Sequence, residues 1–451
     1  MKRYFCFGIL VLLTLASSTF AQRKLPAKAY ITSAKIDVME GRPEEAVALL
    51  DSLFMNYGCH SEGLNLMAQI MVDYVTKAPT PKGKEPLVIK MVAYFDSLRM
   101  CCSDEKVDKK YNKDCDKLIE KADSIEVQFW REFYNGGLEQ LTTLQEFSRE
   151  LAGAADSQTM DFYRKAIDAK ADTSIANMSL AIMIDSSDNR PYVAIGSILE
   201  GQKKYEDAIN WFVKAIKYTD DSSSILPSIA YNYVNIDKYC DAIPYFEQFY
   251  RFNPADLSNA TNLTICYIRC EMDDKAIATY KQMLTVDSTH PEALLGLGNF
   301  YRRDAGELIK SARLLAEEKK EAEAKFKREK GNILFDSAAH YYERYIRAYP
   351  DSISGYYEFG VINFILGRYN KAAEAFKNLA ELEPSKVDNW ISLGDSYFSL
   401  NDFKSAIPAY EKAVELTPTD KILWERLSFL YLETGNPSKK AEADKKLESL
   451  N

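Results

Sequence analysis

The sequence predicts an all-α protein built from repeated antiparallel helix pairs, because one pattern recurs every 34 residues through its C-terminal half. Six windows carry the pattern once an insertion in the fourth is set aside, and they begin at Asn189, Ser223, Leu257, Pro291, Ile353 and Val387. The twentieth residue is always alanine, at Ala208, Ala242, Ala276, Ala338, Ala372 and Ala406. The twenty-fourth is always aromatic, at Phe212, Phe246, Tyr280, Tyr342, Phe376 and Tyr410. The eighth is small, at Gly196, Ala230, Thr264, Gly298, Gly360 and Gly394.

Each window contains two apolar stripes at helical spacing with a short polar turn between them, such as Gly367-Arg368. The small residue and the alanine are expected where the two helix backbones come closest, and the aromatic is expected to fill the gap toward the next pair. Prolines at the thirty-second position end the second helices, at Pro254, Pro350, Pro384 and Pro418. Pro244 and Pro408 are expected near the first turn of a second helix, where a missing N–H has no partner to lose.

The segment from Trp390 to Tyr397, followed by Ala406, Tyr410, Ala413 and Pro418, resembles a tetratricopeptide repeat (TPR) at each signature position. The resemblance extends over about residues 189–451. It implies a right-handed superhelical solenoid of antiparallel helix pairs whose inner surface grips a peptide or a partner protein. It implies no enzymatic activity.

The window at Pro291 contains 28 surplus residues between Arg303 and Leu334. Because both ends of the insertion must return to the same turn, we predict one elongated helical hairpin with its tip near Glu317–Lys320, about 20 Å longer than its neighbours. Gly331 disfavours a helix there, and a flexible charged loop is the alternative.

A second elongated hairpin is predicted earlier in the chain, with its extra length near residues 141–170. Its first helix carries Phe133, Gly136 and Gly137, and its second carries Ser174, Met178 and Ala181. The predicted organisation is a signal peptide (1–21), irregular N-terminal helical repeats (22–129), this degenerate hairpin (130–188), six repeats (189–420, with the insertion in 291–352) and a final partial repeat with a capping helix (421–451).

Within the N-terminal part, the segment from Tyr30 to Leu53 is predicted to form a helix pair that turns at Gly41-Arg42-Pro43. Ala46 corresponds to the repeated alanine of the 34-residue pattern. A further helix begins at Leu64. The run from Lys77 to Pro86 contains three prolines and is predicted to be an exposed loop.

The first 21 residues have the features of a cleaved secretory signal peptide. Lys2 and Arg3 precede an apolar run from Tyr4 to Leu15, and Thr19-Phe20-Ala21 supplies a small-x-small cleavage site. The run is too short to span a bilayer, although a retained membrane anchor is the alternative. We therefore expect an exported mature chain without an integral membrane segment, in a bacterial periplasm or associated with the cell envelope.

The mature chain is acidic, since loss of Lys2 and Arg3 takes the formal charge from −9 to −11. This charge argues against nucleic acid or an anionic membrane surface as the main partner. Seven cysteines remain after cleavage, an odd number that leaves at least one thiol outside any disulfide within the chain. A Cys240–Cys270 disulfide is predicted because both residues fall on the same edge of the array, with buried thiols as the alternative. Cys59 can pair within the group Cys101, Cys102 and Cys115, whose spacing does not suit zinc.

No catalytic, cofactor or metal site is predicted. The three histidines are isolated in sequence, and the common hydrolase, metalloprotease and phosphate-binding motifs do not occur.

The remaining candidate binding surface is the face of each first helix that lies opposite the inward-packing face. In TPR proteins the corresponding face lines the concave surface. The candidate partner-binding residues on it are Tyr231, Asn235, Arg269, Asn299, Arg303, Tyr357, Ile365 and Asp395. The arginines and asparagines can hold a peptide backbone or a carboxylate, while Tyr357 and Ile365 offer an apolar pocket. The alternative is an ordinary mixed surface without a ligand.

Three functions are compatible with the sequence. The first is a non-enzymatic exported scaffold that binds protein or peptide partners in an envelope complex. The second is an accessory or enzyme subunit with its site in residues 22–188 and the repeats as a docking arm, and a passive spacer is a third reading. A deep pocket with converging titratable groups in residues 22–188 would favour the second.

Overall fold

A computed structural model describes residues 25–450, which contain twenty α-helices and no strand. The predicted signal peptide lies outside the described residues. The chain divides into two compact units, with Ile225 ending the first and Leu226 beginning the second. The all-α fold class, with its helix pairs and elongated hairpins, is confirmed.

The first unit contains eight described helices in four antiparallel pairs. They are α1 (Ala27–Met39), α2 (Pro43–Tyr57), α3 (Ser61–Lys77), α4 (Pro81–Ser103), α5 (Cys115–Gly153), α6 (Ser157–Ile184), α7 (Arg190–Gly201) and α8 (Tyr205–Ile216).

The second unit contains twelve described helices in six pairs. They are α9 (Leu226–Asn235), α10 (Tyr239–Phe252), α11 (Leu257–Arg269), α12 (Asp273–Val286), α13 (Pro291–Glu317), α14 (Glu321–Ala348), α15 (Ile353–Ile365), α16 (Tyr369–Leu382), α17 (Val387–Ser399), α18 (Phe403–Leu416), α19 (Lys421–Glu433) and α20 (Pro437–Leu450).

The repeated alanines and aromatics form the core of the helix pairs. Every alanine of that column is fully buried, and the aromatics are at most 6% exposed. The small residue meets the aromatic of its own repeat: a Cβ added to Gly360 would lie 2.8 Å from Phe376, and one added to Gly394 would lie 2.8 Å from Tyr410. The aromatic ring thus packs against the small residue of its own helix pair.

Two polar clasps join consecutive repeats of the second unit. Glu247 on α10 accepts hydrogen bonds from the Tyr267 hydroxyl on α11 (2.7 Å) and from Lys275 on α12 (2.8 Å). Glu411 on α18 accepts equivalent bonds from Tyr431 on α19 (2.7 Å) and Lys439 on α20 (2.6 Å). Since each clasp links a second helix to both helices of the following repeat, it fixes how the two repeats pack.

The insertion is a helical hairpin, so the charged-loop alternative is wrong. α13 and α14 have 27 and 28 residues and turn at Glu318–Lys320, where Lys319 takes a positive φ of 61°. Gly331 is buried in α14, and a Cβ there would lie 3.0 Å from Ile309 and 3.3 Å from the Ala305 carbonyl oxygen. The glycine that weakened the helix prediction therefore allows the two arms to approach closely.

The earlier hairpin is also elongated, with 39 residues in α5 and 28 in α6. A Cβ added to Gly137 would lie 2.6 Å from Met178, and Ser174 donates a hydrogen bond to the Gly137 carbonyl (2.8 Å). These contacts are the same small-against-large packing that the regular repeats use.

Three prolines contradict the predictions made for them. The run from Lys77 to Pro86 is not a loop, because α4 begins at Pro81 and contains Pro86. Pro81 occupies the first helical position, where no N–H bond is lost, and the Thr80 hydroxyl caps the helix by accepting from the Gly83 N–H (3.1 Å). Pro86, like Pro244 in α10 and Pro408 in α18, is the sixth residue of its helix and therefore lies beyond the first turn. Each forgoes one intrahelical hydrogen bond, which the packing of the helix offsets.

We predict opposite effects for alanine at two helical glycines. Gly360→Ala should lower the free energy of unfolding by about 1–3 kcal/mol, because the methyl group overlaps Phe376. Gly306→Ala, the matched control in α13 with nothing within 4 Å, should raise it by about 1 kcal/mol. Chemical denaturation followed by circular dichroism measures both. Equal effects would contradict the packing described for the small residue.

The Glu247 clasp should make stability depend on pH. Although burial alone would raise the pKa of Glu247, the bonds from Lys275 and Tyr267 outweigh it and hold that pKa below its usual range. The stabilisation is therefore present above the unfolded-state pKa of about 4.3 and is lost as pH falls through the lower folded-state value. Thermal melts between pH 6 and pH 3 should show a shallower loss of stability for Glu247→Gln than for the wild type, whereas the exposed control Glu381→Gln should follow the wild type. A Glu247→Gln curve that parallels the wild type throughout would contradict the clasp.

Candidate functional site

The candidate partner-binding residues all lie on first helices of the second unit. Tyr231 and Asn235 are on α9, Arg269 on α11, Asn299 and Arg303 on α13, Tyr357 and Ile365 on α15, and Asp395 on α17. Of these, Asn235, Arg269, Asn299, Arg303, Tyr357 and Ile365 are exposed. Tyr357 and Ile365 are 50% and 53% exposed, so their apolar surface is not used by the core.

Three of the candidate residues already form side-chain hydrogen bonds, either within one helix pair or between consecutive pairs. The Tyr231 hydroxyl lies 3.0 Å from the Asn262 amide nitrogen, which donates to it, and 3.2 Å from the Asn259 side-chain oxygen. The Asn299 side-chain oxygen accepts from the Tyr342 hydroxyl at 2.6 Å. Asp395 accepts from the Tyr410 hydroxyl and from the Arg426 guanidinium.

The two arginines differ in what they already bind. Arg303 pairs with Asp273 (2.8 Å) and Asp304 (2.9 Å). Arg269 lies with its guanidinium 5.4 Å from the centre of the Tyr239 ring and has no carboxylate partner among the described residues. Arg269 is therefore the cation of this pair that is free to take a ligand carboxylate.

A small apolar cavity lies between α15 and α17. Its volume is about 160 Å³, and its lining consists of Val361, Phe364, Ile365, Phe376, Ser392 and Asp395. The structure thus brings Ile365 beside Asp395, whereas Tyr357 does not line the cavity. Sequence reasoning did not select Phe364 or Ser392, because neither occupies a position on the helix face opposite the one that packs inward.

Asp395 carries the most polar contacts at this cavity. Tyr410 and Arg426 both bond to its Oδ1 atom, and Arg426 also donates to the Tyr410 hydroxyl at 2.9 Å. Burial raises the pKa of Tyr410, so its hydroxyl stays protonated as a donor. Arg426 was not selected from the sequence because it belongs to the partial repeat after the regular windows.

The first unit has an open cleft of about 440 Å³ that bears on the alternative function. Its lining includes Asp123, Glu126, Trp130, Asp188 and Arg190. Arg99 binds Asp123 (2.6 Å) and Glu126, and Arg190 binds Asp188 (2.6 Å). Burial raises the pKa of Glu126 although Arg99 opposes the shift. Three of the four carboxylates that line the cleft are thus paired with arginines, the fourth, Asp185, accepts hydrogen bonds from Ser187, and no histidine lines the cleft.

Six of the cysteines form disulfides, Cys59–Cys101, Cys102–Cys115 and Cys240–Cys270, each with 5.7 Å between its Cα atoms. Cys240 is the second residue of α10, and Cys270 follows Arg269, the last residue of α11. The third disulfide therefore ties two consecutive repeats beside Arg269. Among the described residues Cys266 is the free cysteine, and burial raises the pKa of its thiol to about 11.

Residues 25–450 contain no cluster of three or more histidine, cysteine, aspartate or glutamate side chains arranged to hold a metal ion. None of the helices in that range is both long and apolar enough to cross a membrane.

Two family models, both described as tetratricopeptide repeat, match the chain. One matches residues 322–386, 366–421 and 391–446, and the other matches residues 190–222. No curated protein matches the chain in sequence.

The solved structures that are similar to this chain include three proteins of low sequence identity. The MamA protein is 22% identical, with 43% of this chain and 90% of that chain covered and a TM-score of 0.31. The C-terminal part of a TPR repeat-containing protein from Cytophaga hutchinsonii is 21% identical, with 57% and 94% covered and a TM-score of 0.38. A tetratricopeptide repeat protein from Parabacteroides merdae is 14% identical, with 64% and 99% covered and a TM-score of 0.30.

We predict that Cys240 and Cys270 are joined in the exported protein and that the bond stabilises the second unit. Replacing both by serine should lower the free energy of unfolding by about 2–4 kcal/mol, because the bond closes a loop with a sequence separation of 30. Peptide mapping without reduction should recover the two cysteine peptides joined, and Cys266 should react with an alkylating reagent only after unfolding. Alkylation of Cys240 and Cys270 in the native protein would contradict the pairing.

Proposed function

Because the chain belongs to the tetratricopeptide repeat family, we propose that it is a non-enzymatic, exported scaffold that binds a protein or peptide partner. The binding surface is the exposed face of α11, α13, α15 and α17. We call it the first-helix face and define it by Arg269, Asn299, Arg303, Tyr357, Ile365 and Asp395.

One observation carries the proposal. Among the first helices, α11 presents an exposed cation at Arg269 and α15 presents half-exposed apolar side chains at Tyr357 and Ile365, none of which takes part in the clasps between repeats. A face that offers charge and apolar area on different first helices of one array can contact an elongated partner at several points. Helix pairs fix the backbone that carries these side chains before binding, so little backbone entropy is lost when the partner docks.

The non-enzymatic part of the proposal rests on the chemistry of the two candidate sites. The cavity beside Ile365 is small and mostly apolar. The cleft beside Glu126 has carboxylates held in ion pairs with Arg99 and Arg190. Neither site brings together a nucleophile and a base with a positioned third group, as covalent catalysis needs.

Export is supported by two independent features. The first 21 residues have the composition of a signal peptide. Three disulfides lie in the described chain, and such bonds persist in oxidising compartments such as a bacterial periplasm. We therefore propose the cell envelope as the place of action, in a complex with the partner.

A photo-cross-linking residue tests where the partner binds. Benzoylphenylalanine at Tyr357 in the full chain, irradiated in intact cells, should give a discrete adduct with an envelope protein identified by mass spectrometry. The matched control is the same residue at Phe252, which is 65% exposed at the end of a second helix and should give no such adduct. Adducts of equal yield from both sites, or none from Tyr357, would contradict binding at the first-helix face.

Charge reversal then tests the cationic end of the face. Arg269→Glu combined with Arg303→Glu should weaken binding of the cross-linked partner by about tenfold or more, in line with the roughly 1.5–3 kcal/mol expected for hydrogen bonds to charged groups. Calorimetry with the purified partner measures the change. Unchanged affinity would remove the arginines from the binding surface.

A further inference from the structure

The cavity beside Ile365 is unfilled because an aspartate stands where the next repeat has a phenylalanine. In two of the six windows the twelfth residue is aromatic, Phe364 and Phe398, and the ninth residue of the next first helix falls beside it. In the last repeat this residue is Phe429, whose ring lies 5.9 Å from that of Phe398. One repeat earlier it is Asp395, which lines a cavity together with Phe364. The shorter aspartate leaves unfilled the space that Phe429 fills in the next repeat.

The size of the cavity matches an apolar side chain. Its volume is about 160 Å³ and it opens to the surface, and an enclosed apolar cavity of about 150 Å³ has room for a benzene ring. Val361, Phe364, Ile365 and Phe376 supply apolar walls. A leucine or phenylalanine side chain from a partner would therefore find here the packing that Phe429 finds against Phe398.

The rim of the cavity and the adjoining surface carry negative charge. Tyr410 and Arg426 use only the Oδ1 atom of Asp395, so Oδ2 is left for another donor. Asp388 on α17 and Glu425 on α19 are exposed and form no ion pair with the described residues. Arg426, which follows Glu425 in the chain, is already bound to Asp395. Asp388 lies four residues before Ser392 of the cavity lining, on the same side of α17, and so places a second carboxylate on the side that carries Asp395.

We propose that the cavity between α15 and α17 accepts a leucine- or phenylalanine-sized side chain from a partner segment in which lysine or arginine residues flank that side chain. The apolar side chain enters the cavity, and the flanking cations pair with Asp395, Asp388 and Glu425. An acidic partner segment is disfavoured because it would place like charges together in a partly desolvated contact. This inference rests on the proposed function and adds the chemistry of the partner.

Synthetic peptides of twelve residues test the proposal with the full-length mature chain. The probe carries one Leu-Phe pair flanked by four lysines in a Gly/Ser background, with a fluorescein label for anisotropy at 0.15 M salt. Two comparison peptides replace the lysines by glutamates or the Leu-Phe pair by serines. The lysine probe should bind at least tenfold more tightly than either comparison peptide. Equal binding of the glutamate or serine peptide, or no binding of the lysine probe at millimolar concentration, overturns the proposal.

Protein variants separate the cavity from the general negative charge of the chain. Ile365→Ser should weaken binding of the lysine probe by about fivefold or more. Asp388→Lys with Glu425→Lys should weaken it by at least tenfold. The matched control, Glu381→Lys with Glu415→Lys, makes the same charge change on second helices and should have less than a twofold effect. A control variant that weakens binding as strongly as the Asp388/Glu425 variant overturns the proposal.

The cross-linking and peptide experiments together distinguish an error in the proposed partner chemistry from an error in the proposed function. If benzoylphenylalanine at Tyr357 captures a partner whose bound segment is acidic, the scaffold function stands and the partner chemistry proposed here is overturned. If no adduct forms at Tyr357, the scaffold function at this face is contradicted whatever the peptides do. Circular dichroism of each variant, with helicity and melting temperature within the range of the wild type, excludes misfolding as the cause of lost binding.

Discussion

The close approach of the two helices of each pair is the constraint on which the rest of the structure depends. A glycine such as Gly360 lets the aromatic ring of Phe376 lie directly against the first helix. Because the ring occupies that space, the alanine four residues before it is fully buried and the second helix has a fixed position. The elongated hairpins apply the same rule, with Gly331 against Ile309 and Gly137 against Met178. Length can therefore be added to a pair without changing how its two helices pack.

Polar side chains then decide how one repeat meets the next and what remains for a partner. The clasps of Glu247 and Glu411 lie between repeats and use tyrosine and lysine from the following pair. Asn299 and Asp395 accept from the buried tyrosines Tyr342 and Tyr410, and burial raises the pKa of Tyr342 to about 12. These contacts leave exposed apolar area and charge on the first helices. The ninth residue of the first helix illustrates the difference between repeats: Asn299 bonds to Tyr342, whereas Asp395 bonds to Tyr410 and also lines a cavity.

The period of the sequence was sufficient to predict the helix pairs, their turns and even the hairpin tip at Glu318–Lys320, because core packing repeats with the chain. It was insufficient at positions where tertiary contacts override a local preference. Pro86 lies within a helix despite its missing N–H. Asn299 looked like a binding residue, but the partner of its side-chain oxygen is 43 residues away. The cavity beside Asp395 depends on side chains from two repeats and on the absence of a large one, which no single window reveals.

The central claim is that a partner docks on the first helices of the second unit while the second helices and the first unit stay as they are. Hydrogen–deuterium exchange of the full mature chain, with and without the cross-linked envelope partner, measures this most directly. The account predicts slower amide exchange in α11, α13, α15 and α17 when the partner is bound, with α10, α12, α16 and α18 unchanged. Protection confined to the second helices, or to residues 25–225, would contradict it.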